Sequence, residues 1–186
     1  MPTSSLPVLG EQEFRFLQQL MVEASGIHLS DSKRPLVAGR LMRRLRALNL
    51  SSYRDYLLLL KDPTKQAEQR LVIDLLTTNE TYFFREPQHF QFLARWLDGR
   101  REPLRIWSAA CSSGEEPYTL AMVLAEHGPA DWSILGSDLS RTVLEKAEAA
   151  IYPLDESSNF PPGWLKCHCL RGIGDHEGAF RLAQGL

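Results

Sequence analysis

One stretch of the sequence, residues 104–118, constrains the fold more than any other. Its letters, LRIWSAACSSGEEPY, predict a short buried strand, a turn of small residues and the first turn of a helix. Pro117 suits a first helical turn because the N–H that proline lacks would have no helical acceptor there. Open α/β sheets bind nucleoside cofactors at such strand-to-helix turns. The stretch therefore predicts an α/β domain with a nucleoside site at this turn.

Two acidic residues, Glu115 and Glu116, follow the turn at the start of the predicted helix. Phosphate-binding turns leave the positive helix N-terminus to the anion, whereas carboxylates occupy it here. A nucleoside cofactor without phosphate and with a positive charge suits this arrangement, and S-adenosylmethionine has an ammonium and a sulfonium group. The alternative is that both glutamates are ordinary helix-start residues, since first turns favour acids generally.

Another acidic residue, Asp138, ends the next strand-like run, residues 133–138. It follows the glycine of the turn by roughly 20 residues, a spacing at which an acid at a strand tip accepts hydrogen bonds from a ribose diol. Ser140 then predicts the N-cap of a further helix. Turn, helix, strand and terminal acid are together typical of a nucleoside site, although they do not identify the reaction.

Composition is that of an ordinary soluble globular protein, with 44% hydrophobic and 24% charged residues among 186. The longest notable apolar run, residues 57–60, is far too short for a membrane span. Residues 1–10 contain no basic or long apolar segment, so we expect a flexible tail there and no signal peptide. Three cysteines, an odd number, argue against a disulfide framework and favour a reducing cytoplasm.

A short segment with Cys167, His168 and Cys169, with His176 nearby, raises the question of a zinc site. Alternating ligands are poor spacing for zinc compared with a C-x-x-C pair, and a fourth ligand is not evident. We therefore expect no metal site, and favour an edge strand or loop that happens to contain cysteines.

The amino-terminal half has helical periodicity from residue 11 to about residue 76. Phe14, Leu17 and Met21 mark the first helix, which we expect to end near Gly26. This half predicts a small helical bundle with little sheet.

The second predicted helix contains six basic and no acidic residues, whereas the rest of the chain has 15 basic and 23 acidic ones. The six are Lys33, Arg34, Arg40, Arg43, Arg44 and Arg46. Arg40, Arg43 and Arg44 share a helical face because they stand at i, i+3 and i+4. One interpretation is a solvated face with salt bridges, and another is docking to an acidic protein surface. A pI near 6.2 and the lack of interleaved exposed aromatics argue against nucleic acid.

Residues 77–86, TTNETYFFRE, join the two halves. The absence of glycine and serine predicts a packed joint rather than a flexible linker. Asn79 and Thr81 offer short polar side chains, and Arg85 offers a planar fork that matches a carboxylate. A buried aromatic joint with polar caps is the alternative interpretation of the same residues.

Three blocks of the sequence, TTNETYFFRE, IWSAACSSGEEPYTLAM and SDLSRTVLEKAEAAIY, together closely resemble the CheR-type chemotaxis receptor methyltransferases. Those enzymes use S-adenosylmethionine to esterify glutamate side chains on bacterial chemoreceptors. The segment GIHLSDSKRPLVAGRLMRRLRALNL is similar to their amino-terminal helical domain, and RGIGDHEGAFRL resembles their small antiparallel subdomain. The similarity runs from about residue 11 to the end, in the family's order.

The resemblance implies roles for individual positions. Asn79, Thr81 and Arg85 would contact the cofactor or line the methyl site. Glu116, the second glutamate of the turn, would hold the methionine part of the cofactor, and Asp138 would bind its ribose. Arg85 is also our catalytic candidate, because a guanidinium beside the cofactor could orient the substrate carboxylate. The receptor's acidic methylation region would be recognised by Arg40, Arg43, Arg44 and Arg46.

The resemblance also implies a fold of the α+β class. We expect an N-terminal all-α helical bundle, then the first part of a Rossmann-like α/β methyltransferase domain and the start of a small antiparallel β-subdomain. The expected parts are a tail (1–10), a receptor-recognition domain with a basic second helix (11–90) and a partial cofactor domain (91–186), with the subdomain at about 165–186. Residues 178–182 would be the edge to which the receptor's C-terminal peptide adds as a strand.

Family members continue well past the position of Leu186, so the resemblance implies a chain shortened relative to the family. Only two strands of the main sheet fit into residues 104–138, which is few to cover a core. The implied activity is protein-glutamate O-methyltransfer by a cytoplasmic monomer whose partner is the chemoreceptor cytoplasmic domain, without nucleic acid or membrane insertion. A non-catalytic receptor- or cofactor-binding module is the alternative. Residues 159–162 superficially resemble a motif of nucleic-acid methyltransferases, but in the wrong order and after the wrong strand.

Overall fold

The computed structural model of the chain describes residues 7–186. They divide into two compact units between Thr78 and Asn79, rather than at residue 90 as expected. Most of the predicted tail, residues 1–6, lies outside the described residues. In the described remainder, Leu9 is only 5% exposed and packs into the core of the first unit, so the folded part begins before α1 (Glu11–Ser25).

In the described part of the first unit, residues 7–78, there are four helices. They are α1, α2 (Arg34–Ala47), α3 (Tyr53–Leu60) and α4 (Gln66–Leu76), with 3-10 turns at Asp31–Lys33 and Pro63–Lys65. Phe14, Leu17 and Met21 are completely buried along one face of α1, and Gly26 ends that helix in the left-handed conformation. The predicted helical bundle is confirmed.

A parallel pair of strands begins the main sheet of the second unit. The order of elements is α5 (Pro87–Leu97), β1 (Leu104–Ala109), α6 (Glu115–His127), β2 (Trp132–Ser137) and α7 (Arg141–Ala149). The two strands run in register from Leu104 opposite Trp132 to Ala109 opposite Ser137. Because α6 connects parallel strands, their carboxyl ends meet at one edge of the sheet, as at the start of a Rossmann-like domain.

The antiparallel sheet differs from the expectation. Its strands are β3 (Ile151–Pro153), β4 (Cys169–Arg171) and β5 (Ala179–Leu182), joined by α8 (Trp164–His168) and 3-10 turns at Leu154–Asn159 and Gly174–His176. The order across the sheet is β3, β5, β4. The prediction that residues 178–182 form an edge is therefore wrong, because β5 is paired on both sides. The sheet also begins with β3, before residue 165.

Aromatic rings from the junction fill the core of the second unit. Phe83 is completely buried, with its ring centroid 4.9 Å from that of Tyr152 and 5.0 Å from that of Phe160. Phe84 packs edge-on against Trp164. The aromatic residues of the junction are therefore packed within the second unit.

Candidate functional site

The turn between β1 and α6 has a strained backbone. Ala110, Ser112 and Gly114 have positive φ values of 64°, 50° and 99°, and such a conformation costs a non-glycine residue about 1 kcal/mol or more. Backbone hydrogen bonds help to hold the turn: Cys111 N–H donates to the Ser137 carbonyl (2.9 Å), and Gly114 N–H donates to the Cys111 carbonyl (3.1 Å). A strained turn that its surroundings fix in one shape is typical of a binding site.

Asp138 lies at the carboxyl end of β2, beside this turn. Its Oδ2 accepts a hydrogen bond from the Ser112 N–H (2.8 Å), and its Oδ1 accepts one from the Ser140 N–H (2.9 Å). Each carboxylate oxygen can accept a second bond, and the half-buried side chain leaves access for ribose hydroxyls. Ser140 also caps α7 as predicted, since its hydroxyl accepts from the Val143 N–H.

The two glutamates of the turn lie in different surroundings. Glu115 is 5% exposed, and both of its carboxylate oxygens accept from the Ser113 hydroxyl, at 2.9 and 2.8 Å. Glu116 is exposed and accepts from the Ser108 hydroxyl of β1 at 2.7 Å. Of the two, Glu116 is therefore the carboxylate that a cationic ligand can reach.

The junction segment is tied to the same turn. The Asn79 carbonyl accepts from the Ser112 hydroxyl at 3.2 Å, so Asn79 and Asp138 share one partner. Arg85 is exposed, and one of its N–H groups donates to the Glu80 carbonyl at 2.6 Å. Within residues 7–186, neither Arg85 nor the half-buried Thr81 hydrogen-bonds to the turn.

Three residues that hold this site were not singled out from the sequence: Ser108, Ser112 and Thr119. The fully buried Thr119 hydroxyl accepts from the Phe84 N–H (3.2 Å) and donates to the Glu115 carbonyl (2.6 Å), which ties the junction to α6. Ser108 stands near the end of the strand that leads into the turn, and that position could have indicated a hydroxyl near a ligand. Ser112 gives no such signal, because its partners are 26 and 33 residues away.

The donors and acceptors of the turn suit S-adenosylmethionine better than a dinucleotide. Glu116 offers a carboxylate for an ammonium group, and Asp138 offers acceptors for the two hydroxyls of a ribose. A pyrophosphate would meet the carboxylates at the start of α6 and be repelled. The residues present therefore fit the cofactor that the sequence predicts.

A cavity of the second unit does not lie at this site. It encloses about 690 Å³ between α6 and α7, and its lining includes Tyr118, Ile134, Leu144 and Leu186. None of the five residues predicted to bind the cofactor lines it. We place the candidate site at the turn, because the accessible carboxylates lie there and the cavity is mostly apolar.

A buried cysteine lies within the turn. Burial raises the pKa of the Cys111 thiol, and the neighbouring Asp138 carboxylate raises it further. Cys111 is therefore protonated at neutral pH, which makes its sulfur a weak nucleophile.

The segment with Cys167, His168 and Cys169 is packed against the rest of the second unit. His168 is buried, and its Nε2 lies 2.9 Å from Glu126 Oε1. Cys167 and Cys169 are free thiols. In the part of the chain that the structure describes, no three His, Cys, Asp or Glu side chains are grouped so as to hold a metal ion, and no helix is long and apolar enough to cross a membrane.

Among the four arginines of α2 predicted to bind the receptor, Arg40 has internal partners. One of its guanidinium nitrogens donates to the carbonyl groups of residues 75, 76 and 77, at 3.2, 3.1 and 3.0 Å, where α4 ends. Arg43 and Arg46 are exposed, and neither forms a hydrogen bond or ion pair with another described residue. These two side chains are therefore available to a partner.

Arg44 also has a partner within the first unit. Its guanidinium donates to both carboxylate oxygens of Glu68, at 2.8 and 2.5 Å, and the buried Tyr56 hydroxyl donates to Glu68 Oε1 at 2.6 Å. The hydrogen bond from Arg44 holds the pKa of Glu68 below its usual range, and burial raises the pKa of Tyr56. At neutral pH this is an ionised carboxylate held between a cation and a neutral hydroxyl.

Comparison with known proteins agrees with the division of the chain. A family model described as "CheR methyltransferase, all-alpha domain" matches residues 12–77, and one described as "CheR methyltransferase, SAM binding domain" matches residues 79–181. Both boundaries coincide with the break after Thr78.

Individual relatives show the same similarity. A chemotaxis protein methyltransferase of Escherichia coli (strain K12) is 44% identical over 181 residues, which cover 96% of this chain and 63% of the relative. Chemotaxis protein methyltransferase 2 of Pseudomonas aeruginosa is 42% identical over 202 residues, covering 100% of this chain and 71% of the relative. One from Borreliella burgdorferi is 36% identical over 181 residues, 90% of this chain and 64% of the relative. The chain thus spans less than two thirds of the length of the first and third of these curated relatives.

Proposed function

Since this chain belongs to the CheR methyltransferase family, we propose that it takes part in S-adenosylmethionine-dependent methylation of glutamate side chains on bacterial chemoreceptors. The product is a methyl ester, and the setting is adaptation of chemotaxis-like signalling by a monomer in the cytoplasm. The observation that carries the proposal is one turn at the carboxyl ends of neighbouring parallel strands, where the accessible Glu116 carboxylate lies at the start of α6 and the Asp138 acceptors directly follow β2. This combination suits a cationic nucleoside and disfavours a phosphate carrier.

The chemistry asks mainly for positioning. When bound, S-adenosylmethionine supplies a methyl group on a sulfonium. A substrate glutamate with an ordinary pKa of about 4.3 is already ionised at neutral pH, so no general base is needed. Alignment and exclusion of water then supply most of the rate enhancement. Arg85 orients the substrate carboxylate, since its guanidinium uses one N–H on the Glu80 carbonyl and has further donors.

The partner in this proposal is the cytoplasmic domain of a methyl-accepting chemoreceptor. Arg43 and Arg46 bind its acidic methylation region. Arg40 and Arg44 instead attach α2 to the end of α4 and to Glu68. A C-terminal receptor peptide that adds as a strand pairs with β3 or β4, because β5 has no free edge.

Calorimetry with S-adenosylhomocysteine, the reaction product, tests the proposal on the 186-residue chain. We expect binding, and we expect Glu116→Gln to weaken it about tenfold because the ammonium loses its charged partner. Glu145→Gln is the matched control, since Glu145 is an exposed helical glutamate paired with Arg141. A chain that does not bind S-adenosylhomocysteine, or that binds NAD more tightly, would contradict the proposal. Binding without methyl transfer to a receptor domain would instead support the non-catalytic module.

A further inference from the structure

One side chain of the antiparallel sheet reaches the turn of the candidate site. Tyr152, in β3, is 3% exposed, and its hydroxyl donates to the Ser113 carbonyl at 2.7 Å. Burial raises the pKa of the Tyr152 phenol, so the hydroxyl remains a donor. Because Ser113 lies between two residues with positive φ, Ser112 and Gly114, this bond fixes a peptide group within the left-handed part of the turn.

The same hydroxyl fills the space beneath the next residue. A Cβ added to Gly114 would lie 2.7 Å from Tyr152 Oη and 2.9 Å from the Ala147 Cβ, which is closer than real Cβ atoms approach. Glycine is therefore required here by the close approach of Tyr152 as well as by its φ of 99°. The turn rests directly on this tyrosine.

Tyr152 also contacts the other segment that bears predicted cofactor residues. Its ring packs edge-on against Phe83 of the junction, with centroids 4.9 Å apart, and Phe83 is completely buried. A single side chain of β3 thus contacts both the turn before Glu116 and the junction between Asn79 and Arg85.

We propose that Tyr152 is a positioning residue, through which the antiparallel sheet holds the turn in the shape that the cofactor site needs. Ala110 and Ser112 pay a backbone cost for their positive φ values, and such conformations persist only where the surroundings over-determine them. The Tyr152 hydroxyl is one of the contacts that hold the turn in this conformation. The effect of Tyr152 on cofactor binding rests on our proposed function, in which the ligand is S-adenosylmethionine. Its effect on the conformation of the turn does not depend on that ligand.

Two measurements on Tyr152→Phe test the role. Phenylalanine keeps the ring packing and removes only the hydroxyl, so amide hydrogen exchange of residues 110–116 should become faster in the ligand-free chain. S-adenosylhomocysteine should bind about fivefold more weakly, as expected for one lost buried hydrogen bond. Tyr118→Phe is the matched control, because the half-buried Tyr118 hydroxyl also donates to a backbone carbonyl, that of Ala147 at 2.9 Å. The control should change neither quantity.

The outcomes separate this inference from the proposed function. Equal exchange in Tyr152→Phe and Tyr118→Phe overturns the positioning role, whatever the affinity. A wild-type chain that does not bind S-adenosylhomocysteine overturns the proposed function, and the exchange data then decide the positioning role alone. If Tyr152→Phe fails to fold, Gly114→Ala replaces it, since its Cβ pushes on the Tyr152 hydroxyl. Faster exchange at residues 151 and 152 in that variant supports the contact, and a change confined to the turn refutes it.

Discussion

At the scale of single residues, internal pairing decides which charges are free to act. Glu68 accepts from Arg44 twice and from Tyr56 once. We expect Glu68→Gln to lower the free energy of unfolding by about 2 kcal/mol at pH 7, because glutamine keeps the shape but loses the charge-assisted bonds. Urea denaturation followed by circular dichroism measures this. Glu23→Gln, which removes an exposed charge from α1, should change it by less than about 0.5 kcal/mol.

The stability that Glu68 contributes should depend on pH in a definite direction. The pKa of Glu68 is lower in the folded chain than its ordinary value of 4.5, so the unfolded chain binds the proton first as the pH falls. The stabilisation is therefore complete above that value and disappears as the pH falls through the folded pKa. The difference between wild type and Glu68→Gln should shrink in acid, and a difference that is constant down to pH 3 would contradict the pairing.

The sequence located the acidic residues of the site better than it located their partners. An acid at the end of β2 and two acids at the start of α6 follow from strand and helix patterns, and the structure has them there. Of the two acids of α6, Glu115 is buried beside the Ser113 hydroxyl, whereas Glu116 is exposed and accepts from Ser108. Adjacent residues on a helix point in different directions, but no local pattern says which direction is buried.

At the scale of elements, α2 places two kinds of arginine side by side. Arg43 and Arg44 are neighbours, yet Arg43 is exposed and Arg44 is bound to Glu68. We expect Arg44→Gln to destabilise the chain by about 2 kcal/mol, and Arg43→Gln to change stability by less than about 0.5 kcal/mol. Thermal unfolding of the two variants checks this, and the shared glutamine keeps helix propensity equal.

Binding to an acidic chemoreceptor segment should depend on the exposed arginines, Arg43 and Arg46, rather than on Arg44. Charge reversal at both Arg43 and Arg46 removes two exposed cations, so it should weaken binding at least tenfold and reduce its dependence on salt. The stability of the chain should stay close to that of the wild type. Tight binding by this double variant would show that the receptor does not use the exposed side of α2.

Helices were predicted from the sequence more successfully than the antiparallel strands. The apolar spacing of α1 extends over 15 residues, which is long enough to distinguish a helix from a strand. β3 and β4 have three residues each and β5 has four, too few for a periodic pattern to appear. The position of β5 in the centre is set by pairing with residues up to 30 positions away, and that information is not local.

At the scale of the whole molecule, residues 7–186 form two separate hydrophobic cores. The first contains buried residues between Leu9 and Leu76, and the second begins at Phe83. The expected boundary at residue 90 assigned the junction, residues 77–86, to the helical unit. It fails because Phe83 and Phe84 pack among rings of the second core, so the break falls before the junction rather than after it.

Two truncated chains test whether the first core is sufficient for its own fold. We expect residues 1–78 to unfold cooperatively, because their buried side chains are supplied by α1 to α4 and by Leu9. Extension to residue 90 should change the midpoint by less than about 3 °C, since it adds no partner to that core. It should also leave Phe83 without the rings it packs against and Phe84 with the ring of Phe90 alone. Residues 79–90 should therefore give unprotected, coil-like amide signals in nuclear magnetic resonance spectra. Protected amides in that extension, or a fragment 1–78 that does not fold, would place the boundary after the junction instead.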